Sequence, residues 1–393
     1  MSQSRFFTSN SVMLGHPDKL CDRISDALVD AHLSMDPEAR IRAEVAAAGQ
    51  LIFLVTDVDI HGEVDVTGVV RRAIAETGYF PADMDPDRCA ILSQSSRMTP
   101  LGASVSAGPE VFTEEGVATE QTTVFGYACS ETPERMPLPI QVAHRLSVTL
   151  SVLAQQRTIP GLGPDGDVQV TVEYDGNRPI RIDTMVIQLQ HRGNPSDLRE
   201  SIQRLALDPV TQSLPVKPDS STRLILNPAG PLEVAGPARD AGHTGRKNAD
   251  DSYGGAARHG GHSLSGKDPG RLDRSASYAA RHVATNVVAA GLATECELML
   301  SYAIGQTTPS TVFARTLGTG VISDERLSEI VGSVFDLRPG AIVKRLGLRQ
   351  LPREKGGRFY QLLAVGGHFG RIDLDPPWEL TDHVDALREA ARV

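Results

Sequence analysis

Residues 15–19 combine side chains that bind phosphate groups and metal ions. The segment is Gly15-His16-Pro17-Asp18-Lys19, and its proline suits the first position of a helix. Because free N–H groups and the positive dipole end at a helix start attract phosphate, we expect His16 to contact a phosphate oxygen. Asp18 is suited to a metal ion. The alternative is an ordinary capped helix, on which aspartates spaced four residues apart, from 18 to 30, form a solvated stripe.

A second candidate anion site lies in the glycine-rich stretch 236–270. Arg246 and Lys247 follow a Thr-Gly turn there, and a guanidinium beside an ammonium suits a polyphosphate. A surface loop explains this segment equally well. Residues 261–267 have the spacing of a P-loop, but Asp268 stands where Ser or Thr is needed and no strand precedes them, which excludes a P-loop.

The third candidate is the pair Lys267 and Asp273, which follows that loop and lies near the start of the next predicted helix. Together the three segments supply histidine, lysine and arginine side chains as well as carboxylates. This combination is what a magnesium-bound polyphosphate requires.

Hydrophobic periodicity predicts the same order of elements three times: a helix, two strands and a second helix. The leading helices cover 17–33, 141–155 and 274–290. The strand pairs cover 41–48 with 50–60, 168–175 with 178–189, and 297–305 with 310–318, and the second helices cover 66–76, 196–207 (capped by Ser196) and 324–335. We therefore expect an α+β fold of three similar domains with a pseudo-threefold repeat, in which helices pack on one face of small mixed sheets.

Three domains are expected along the chain. We place an N-terminal domain at 1–104, a central domain at 105–232 and a C-terminal domain at 233–393. Residues 98–120 are rich in small side chains and lack periodicity, which predicts a mobile loop or lid.

Composition excludes several classes of protein. The 393 residues carry 39 Lys+Arg against 49 Asp+Glu, and an acidic chain lacks the positive field that nucleic acid needs. No apolar run approaches the roughly 18 residues that cross a bilayer, and the N-terminus lacks the pattern of a signal peptide. The four cysteines are scattered, as reduced thiols are. We expect a cytoplasmic protein with no nucleic-acid or membrane partner.

Five segments resemble the S-adenosylmethionine synthetase (methionine adenosyltransferase) family. In order they are FFTSNSVMLGHPDKLCDRISDA, FGYACSETPERMPLPIQVAHRL, GHTGRK, YGGAARHGGHSLSGKDPGRLDRSASYAAR and FDLRP. The resemblance implies an enzyme that transfers the adenosyl group of ATP to the sulfur of L-methionine or a related thioether and releases phosphate and pyrophosphate. It also implies two Mg²⁺ ions, a K⁺ ion, and a homodimer or homotetramer with active sites between subunits.

The resemblance assigns roles to charged residues. It implies that the catalytic residues are His16, Arg246, Lys267 and Asp273. It implies that ATP and its polyphosphate are bound by His16, Asp165, Asp240, Arg246, Lys247 and Lys267. The implied metal ligands are Asp18 and Asp273 for magnesium and Glu44 for potassium.

The residues implied to bind the acceptor depart from the family pattern. Asp57 replaces a glutamate, Met98 replaces a glutamine and Glu120 replaces an aspartate, while Asp240 matches a carboxylate at the substrate junction. The changes leave two alternatives open beside methionine adenosyl transfer. One is a diverged homologue with a different acceptor, nucleophile or nucleotide, and the other is a catalytically weak nucleotide-binding partner subunit.

The nucleotide region departs as well. Asp167 stands where the family has a lysine that contacts the triphosphate, and Leu232 stands where an aromatic packs on adenine. An anion beside the triphosphate is unfavourable unless a cation compensates it, and His262 is a candidate compensator.

Overall fold

The computed structural model describes residues 5–98 and 116–392. Strands are β1 Arg5–Val12, β2 Arg40–Ala48, β3 Leu51–Asp59, β4 Ala90–Arg97, β5 Thr122–Cys129, β6 Leu162–Asp175, β7 Arg178–His191, β8 Arg223–Leu226, β9 Gly242–His243, β10 Glu295–Tyr302 and β11 Thr311–Arg315. Helices are α1 Pro17–Met35, α2 Val66–Thr77, α3 Leu138–Gln155, α4 Pro195–Ile202, α5 Asp208–Gln212, α6 Asn248–Asp251, α7 Leu272–Ala289, α8 Asp324–Val334, α9 Pro339–Arg345, α10 Leu351–Glu354 and α11 Val384–Ala391.

The strongly periodic segments form the predicted elements. The three leading helices, the second helices at 66 and 324, and all six predicted strands are present, with ends within a few residues of those expected. The helix predicted over 196–207 is the exception. It begins at Pro195 and gives way to a π-helical turn at 203–207.

The predicted cap Ser196 is wrong. Asn194 is the cap, and its side chain accepts the N–H of Ser196. The physical reason is Pro195, whose missing N–H and fixed φ suit the first helical position, so that the cap falls one residue before the proline.

The described residues form three small sheets, and each sheet combines strands from distant parts of the sequence. Their strand orders are β1-β6-β7-β8, β11-β10-β5 and β4-β3-β2-β9. The N-terminal strand β1 therefore joins the central part of the chain, β5 joins the C-terminal part and β9 joins the N-terminal part. The α+β fold class is confirmed, whereas the domain boundaries stay a prediction.

One long helix covers one face of each sheet: α1 lies on β2, α3 on β6, and α7 on β5. Gly126 permits the last of these contacts, because a Cβ there would lie 2.0 Å from the backbone carbon of Ala280. The other face of the β4-β3-β2-β9 sheet exposes large apolar side chains, with Phe53 47% and Leu92 55% exposed. Within the described ranges, no helix is both long and apolar enough to span a membrane.

Candidate active site

His16 caps the N-terminus of α1 and faces a cavity. Its Nδ1 atom accepts the N–H of Asp18 at 3.2 Å, so a neutral ring carries its proton on Nε2. Burial, reinforced by the positive charge of Lys247, lowers the pKa of His16 to about 4. His16 is therefore a neutral hydrogen-bond donor at physiological pH.

Asp18, at the second position of α1, collects two cations from the segment after β9. Lys247 Nζ lies 2.5 Å from its Oδ2 atom, Arg246 Nη1 lies 3.5 Å from Oδ1, and Oδ1 accepts the N–H of His243. Burial acts to raise the pKa of Asp18, but these partners hold it below its usual value. We call His16, Asp18, Arg246 and Lys247 the α1 cluster.

A cavity of about 260 Å³ adjoins the α1 cluster. It is lined by His16, Asp165, Asp167 and Leu232, which brings together residues that the family resemblance links to the nucleotide. Asp165 accepts the N–H of Gly236 at 2.8 Å, and burial raises the pKa of Asp165 to about 6.

Asp167, in the place of the family lysine, has a buried Oδ1 atom without a hydrogen-bond partner in the described structure. Burial and the negative charge of Asp250 raise the pKa of Asp167 to about 6, while Lys247 acts in the opposite direction. The predicted compensator His262 lies beside Asp273 instead, with its Nε2 atom 3.9 Å from Asp273 Oδ1. Lys247 is therefore the cation that offsets the negative charge of Asp167.

Asp273 organises a second group of charges at the N-terminus of α7. Its Oδ2 atom receives Lys267 Nζ at 2.5 Å, and its Oδ1 atom accepts the hydroxyl of Thr122 at 2.7 Å. The backbone N–H of Asp273 donates to Glu120, whose other carboxylate oxygen lies 3.5 Å from Arg271. Burial acts to raise the pKa of Asp273, yet Lys267 holds it below the usual value. We call these five residues the α7 cluster.

The predicted acceptor residue Asp57 lies on the exposed face of the β4-β3-β2-β9 sheet. Its carboxylate accepts hydrogen bonds from Ser96 and Arg42, which together lower the pKa of Asp57. Glu44, two residues along β2 from Arg42, shares this face. Met98 directly follows β4 and donates its N–H to the carbonyl of Val58.

Strand β2 connects the two clusters. Its Arg42 forms a β-bridge with Lys267 of the α7 cluster, and its Ala46 pairs with His243, which precedes the cations of the α1 cluster. Four residues along a strand span about 13 Å. The structure therefore does not join all predicted catalytic residues of one chain in direct contact. Asp240 is exposed and accepts the N–H of Ala241, and residues 99–115 of the predicted loop lie outside the described residues.

The aspartates of α1 are not a solvated stripe, and that interpretation is wrong. Asp18 is 2% exposed, and Asp22, Asp26 and Asp30 are fully buried. Asp22 accepts the N–H of Gly245, and Asp26 accepts the N–H of Gly266, so each holds a loop beside one of the candidate cations.

The last aspartate of the α1 row contacts the C-terminal part of the chain. Asp30 accepts the N–H groups of three consecutive residues, 359–361. Two buried cations balance the stripe: Lys19 lies 3.4 Å from Asp22 and also pairs with Asp251, while Arg274 pairs with Asp26. Sequence reasoning missed these positioning contacts, because the four-residue spacing places the aspartates on one helix face without indicating whether that face is buried.

Comparison with known proteins covers nearly the whole chain. Sequence models of the N-terminal, central and C-terminal domains of S-adenosylmethionine synthetase match residues 4–100, 115–232 and 234–380. Proteins named S-adenosylmethionine synthase from Synechococcus sp. and Gloeobacter violaceus are 46% identical, with 98% of this chain and 98% or 97% of theirs aligned. The protein of that name from Synechococcus elongatus is 44% identical, over 100% of this chain and 99% of its own. The chain belongs to the S-adenosylmethionine synthetase family.

Proposed function

We propose that this protein transfers the adenosyl group of ATP to the sulfur of L-methionine, and that water then hydrolyses the displaced triphosphate to phosphate and pyrophosphate before both are released. The observation that carries the proposal is the α1 cluster, which opens beside a cavity lined by His16 and Asp165. Family membership over the full chain supports this reaction, and nothing favours a different acceptor or a catalytically weak partner subunit.

Charge neutralisation is the main task of the residues around the triphosphate. Sulfur attacks C5′ as the bond to the triphosphate oxygen breaks, and the negative charge grows on that oxygen. Arg246 and Lys247 supply fixed positive charge there, and the protonated Nε2 atom of neutral His16 donates a hydrogen bond to the leaving oxygen.

The carboxylates fit the cations that the family implies. Asp18 and Asp273 are buried carboxylates held ionised by lysines, and hard oxygen ligands of this kind suit Mg²⁺. Glu44 offers a carboxylate to K⁺ on the exposed sheet face. When bound, these ions neutralise the triphosphate and organise its oxygens.

Methionine is proposed to bind between Asp57, Glu120, Asp240 and Met98. Asp57 and Glu120 are carboxylates suited to the ammonium group of the amino acid. The negative charges of Glu120 and Asp240 attract the positively charged sulfonium of the product and so stabilise it. The neutral side chain of Met98 provides apolar surface for a thioether.

A homodimer or homotetramer is proposed to complete the site. The sheet face that carries Asp57 and Glu44 also exposes Phe53 and Leu92, and exposed apolar surface of this kind marks an interface. A second copy lying on this face brings the α1 cluster of one subunit to the α7 cluster of the other. A cytoplasmic location is part of the proposal, supported by four buried free cysteines.

Product analysis tests the reaction. Purified protein with ATP, methionine, Mg²⁺ and K⁺ should form S-adenosylmethionine, phosphate and pyrophosphate in equal amounts, measured by mass spectrometry and phosphate assay. Hydrolysis of ATP without an adenosylated product would contradict the proposal.

Subunit mixing tests the shared site. Lys247→Ala and Lys267→Ala homodimers should both be inactive, whereas dissociating and reassociating a mixture should restore about a quarter of wild-type activity, because each heterodimer contains one intact site. A mixture that stays inactive although heterodimers form would place both clusters of one site in a single subunit.

A further inference from the structure

Two histidines and an aspartate converge where α7 meets the segment before α11. His282 Nε2 lies 2.8 Å from Asp382 Oδ1, and His383 Nδ1 lies 2.9 Å from the same oxygen. The three atoms all lie within 4.8 Å of one another, and in the described ranges no other group of His, Cys, Asp and Glu side chains has this geometry. His282 is nine residues from Asp273, about 14 Å along α7, so the group is separate from the α7 cluster.

Neighbouring side chains hold both rings in place. His282 and His383 are 3% and 8% exposed, and Phe335 stacks on His383 with ring centroids 4.4 Å apart. The backbone N–H of His383 donates to Asn286, one turn beyond His282 on α7. Two rings fixed in this way bind a ligand with little further loss of side-chain freedom.

No single protonation state of His383 Nδ1 gives this nitrogen a hydrogen bond to both Arg345 and Asp382. Arg345 Nη2 donates toward His383 Nδ1 at 3.1 Å, which requires a lone pair on that nitrogen. The same nitrogen then faces Asp382 Oδ1 at 2.9 Å with no hydrogen between them. Protonating Nδ1 instead lets it donate to Asp382 Oδ1, but the Arg345 guanidinium then approaches a nitrogen that has no lone pair for it. A cation between the ring nitrogens and the carboxylate removes the conflict, because all three atoms then direct lone pairs at it.

We propose that His282 Nε2, His383 Nδ1 and Asp382 Oδ1 bind a transition-metal ion of the zinc type. Imidazole nitrogens with one carboxylate suit Zn²⁺ or Co²⁺ rather than Mg²⁺. Metal–ligand bonds of about 2.0–2.2 Å in a tetrahedron place the ligand atoms roughly 3.3 Å apart. The two nitrogen–oxygen distances of 2.8 and 2.9 Å therefore need to widen only slightly to admit an ion. Asp382, 45% exposed, opens the fourth position to water, and the ion joins α11 to α7.

Arg345 is a competing cation. Its Nη2 atom lies 3.1 Å from Asp382 Oδ2, and its side chain is 41% exposed, so it has room to turn toward solvent when an ion enters. Removing its charge should therefore strengthen metal binding. Removal of a metal ligand should abolish binding, whereas removal of Arg345 should strengthen it. This contrast distinguishes a metal site from a hydrogen-bond network that only holds α11 in place.

Cobalt spectroscopy on the full-length protein tests the proposal. Chelator-treated protein in excess Mg²⁺, which occupies the magnesium sites, is titrated with Co²⁺ and with Zn²⁺. We expect one equivalent per chain, a dissociation constant of about 1 µM or tighter, and the visible absorption of tetrahedral Co²⁺. Zn²⁺ should also raise the melting temperature of the protein, because it binds the folded state.

Matched variants identify the ligands. His282→Ala and the more conservative Asp382→Asn should abolish the Co²⁺ signal, whereas Arg345→Ala should tighten binding about 5- to 10-fold. His32→Ala is the control, since His32 is also a helix histidine with 3% exposure. Binding that persists unchanged in folded His282→Ala and Asp382→Asn would overturn the proposal, as would the lack of saturable binding to wild-type protein.

Discussion

The N-termini of α1 and α7 carry the same arrangement of side chains. Each helix has an aspartate at its second position, Asp18 or Asp273, and each aspartate receives a lysine ammonium at 2.5 Å. In each case a histidine nitrogen lies 3.9 Å from that carboxylate. The two helix starts therefore share one arrangement of carboxylate, ammonium and imidazole.

The two sites differ in the side chain that accepts the N–H of the aspartate at the second helical position. His16, which is neutral, caps α1, whereas the N–H of Asp273 at the start of α7 donates to the carboxylate of Glu120. The α1 cluster holds two cations beside one carboxylate, and the α7 cluster balances two cations with two carboxylates. The start of α1 therefore carries the more positive local charge and attracts an anion more strongly than the start of α7, so that neighbouring charges, and not the helix alone, set which ligand a helix start prefers.

The largest expected effect is loss of either lysine. Lys247→Ala and Lys267→Ala should each lower kcat by about 10²–10³-fold, because each removes a cation from the triphosphate or from its metal-binding aspartate. Asp273→Asn should have a similar effect. Steady-state kinetics measures these effects, with circular dichroism as the folding control. A near-wild-type kcat for one of the two lysine variants would show that its cluster does not contribute to the reaction as proposed.

Substitution of Glu120, which accepts the N–H of Asp273 at the start of α7, should alter the use of methionine and leave the use of ATP unchanged. Glu120→Gln keeps the side-chain size but removes the charge, so we expect the methionine KM to rise about 10-fold. Arg271→Gln is the matched control, because it removes the partner of Glu120 and leaves the carboxylate in place. An equal rise in the ATP KM for Glu120→Gln would contradict the proposal that Glu120 binds the amino acid.

Asp167 should oppose triphosphate binding only when it is ionised. Its pKa of about 6, above the ordinary aspartate value, means that the carboxylate is charged at pH 8 and mostly neutral at pH 5. Asp167→Asn should therefore lower the ATP KM about 5-fold at pH 8 and change it little at pH 5. ATP KM values measured across this range decide the matter, and a benefit that is the same at both pH values would show that the charge of Asp167 is not responsible.

The smallest effect is expected at the exposed sheet face. Asp57→Glu restores the longer carboxylate of the family pattern, and we expect the methionine KM to fall about 3-fold because the oxygen reaches farther beyond Arg42 and Ser96. Asp59→Glu, one pleat along β3, is the control. An increased methionine KM in Asp57→Glu would indicate that the pocket is matched to the shorter side chain.

Interactions within short segments of the sequence determined most of the helices and strands and the chemistry of both helix starts. Pro17 and its neighbours specify the beginning of α1, and the apolar positions Leu20, Ile24 and Leu28 specify its buried face. These features depend on residues a few positions apart, so pattern and local chemistry predict them. The family resemblance was readable in the same way and predicted roles for the charged residues of both clusters except Arg271, to which it assigned none.

Tertiary structure alone decided which distant segments share a sheet and which charges are buried. The pairing of β1 with β6 and of His243 with Ala46 joins segments more than a hundred residues apart. Local periodicity does not indicate which distant strand a strand pairs with. The aspartate spacing on α1 is the same for an exposed stripe and for a buried one. Loops donate an N–H group to one oxygen of Asp22 and to one oxygen of Asp26, and the buried cations Lys19 and Arg274 pair with these carboxylates. The burial of both carboxylates depends on these distant partners, because a buried charge is stable when it is paired and hydrogen-bonded.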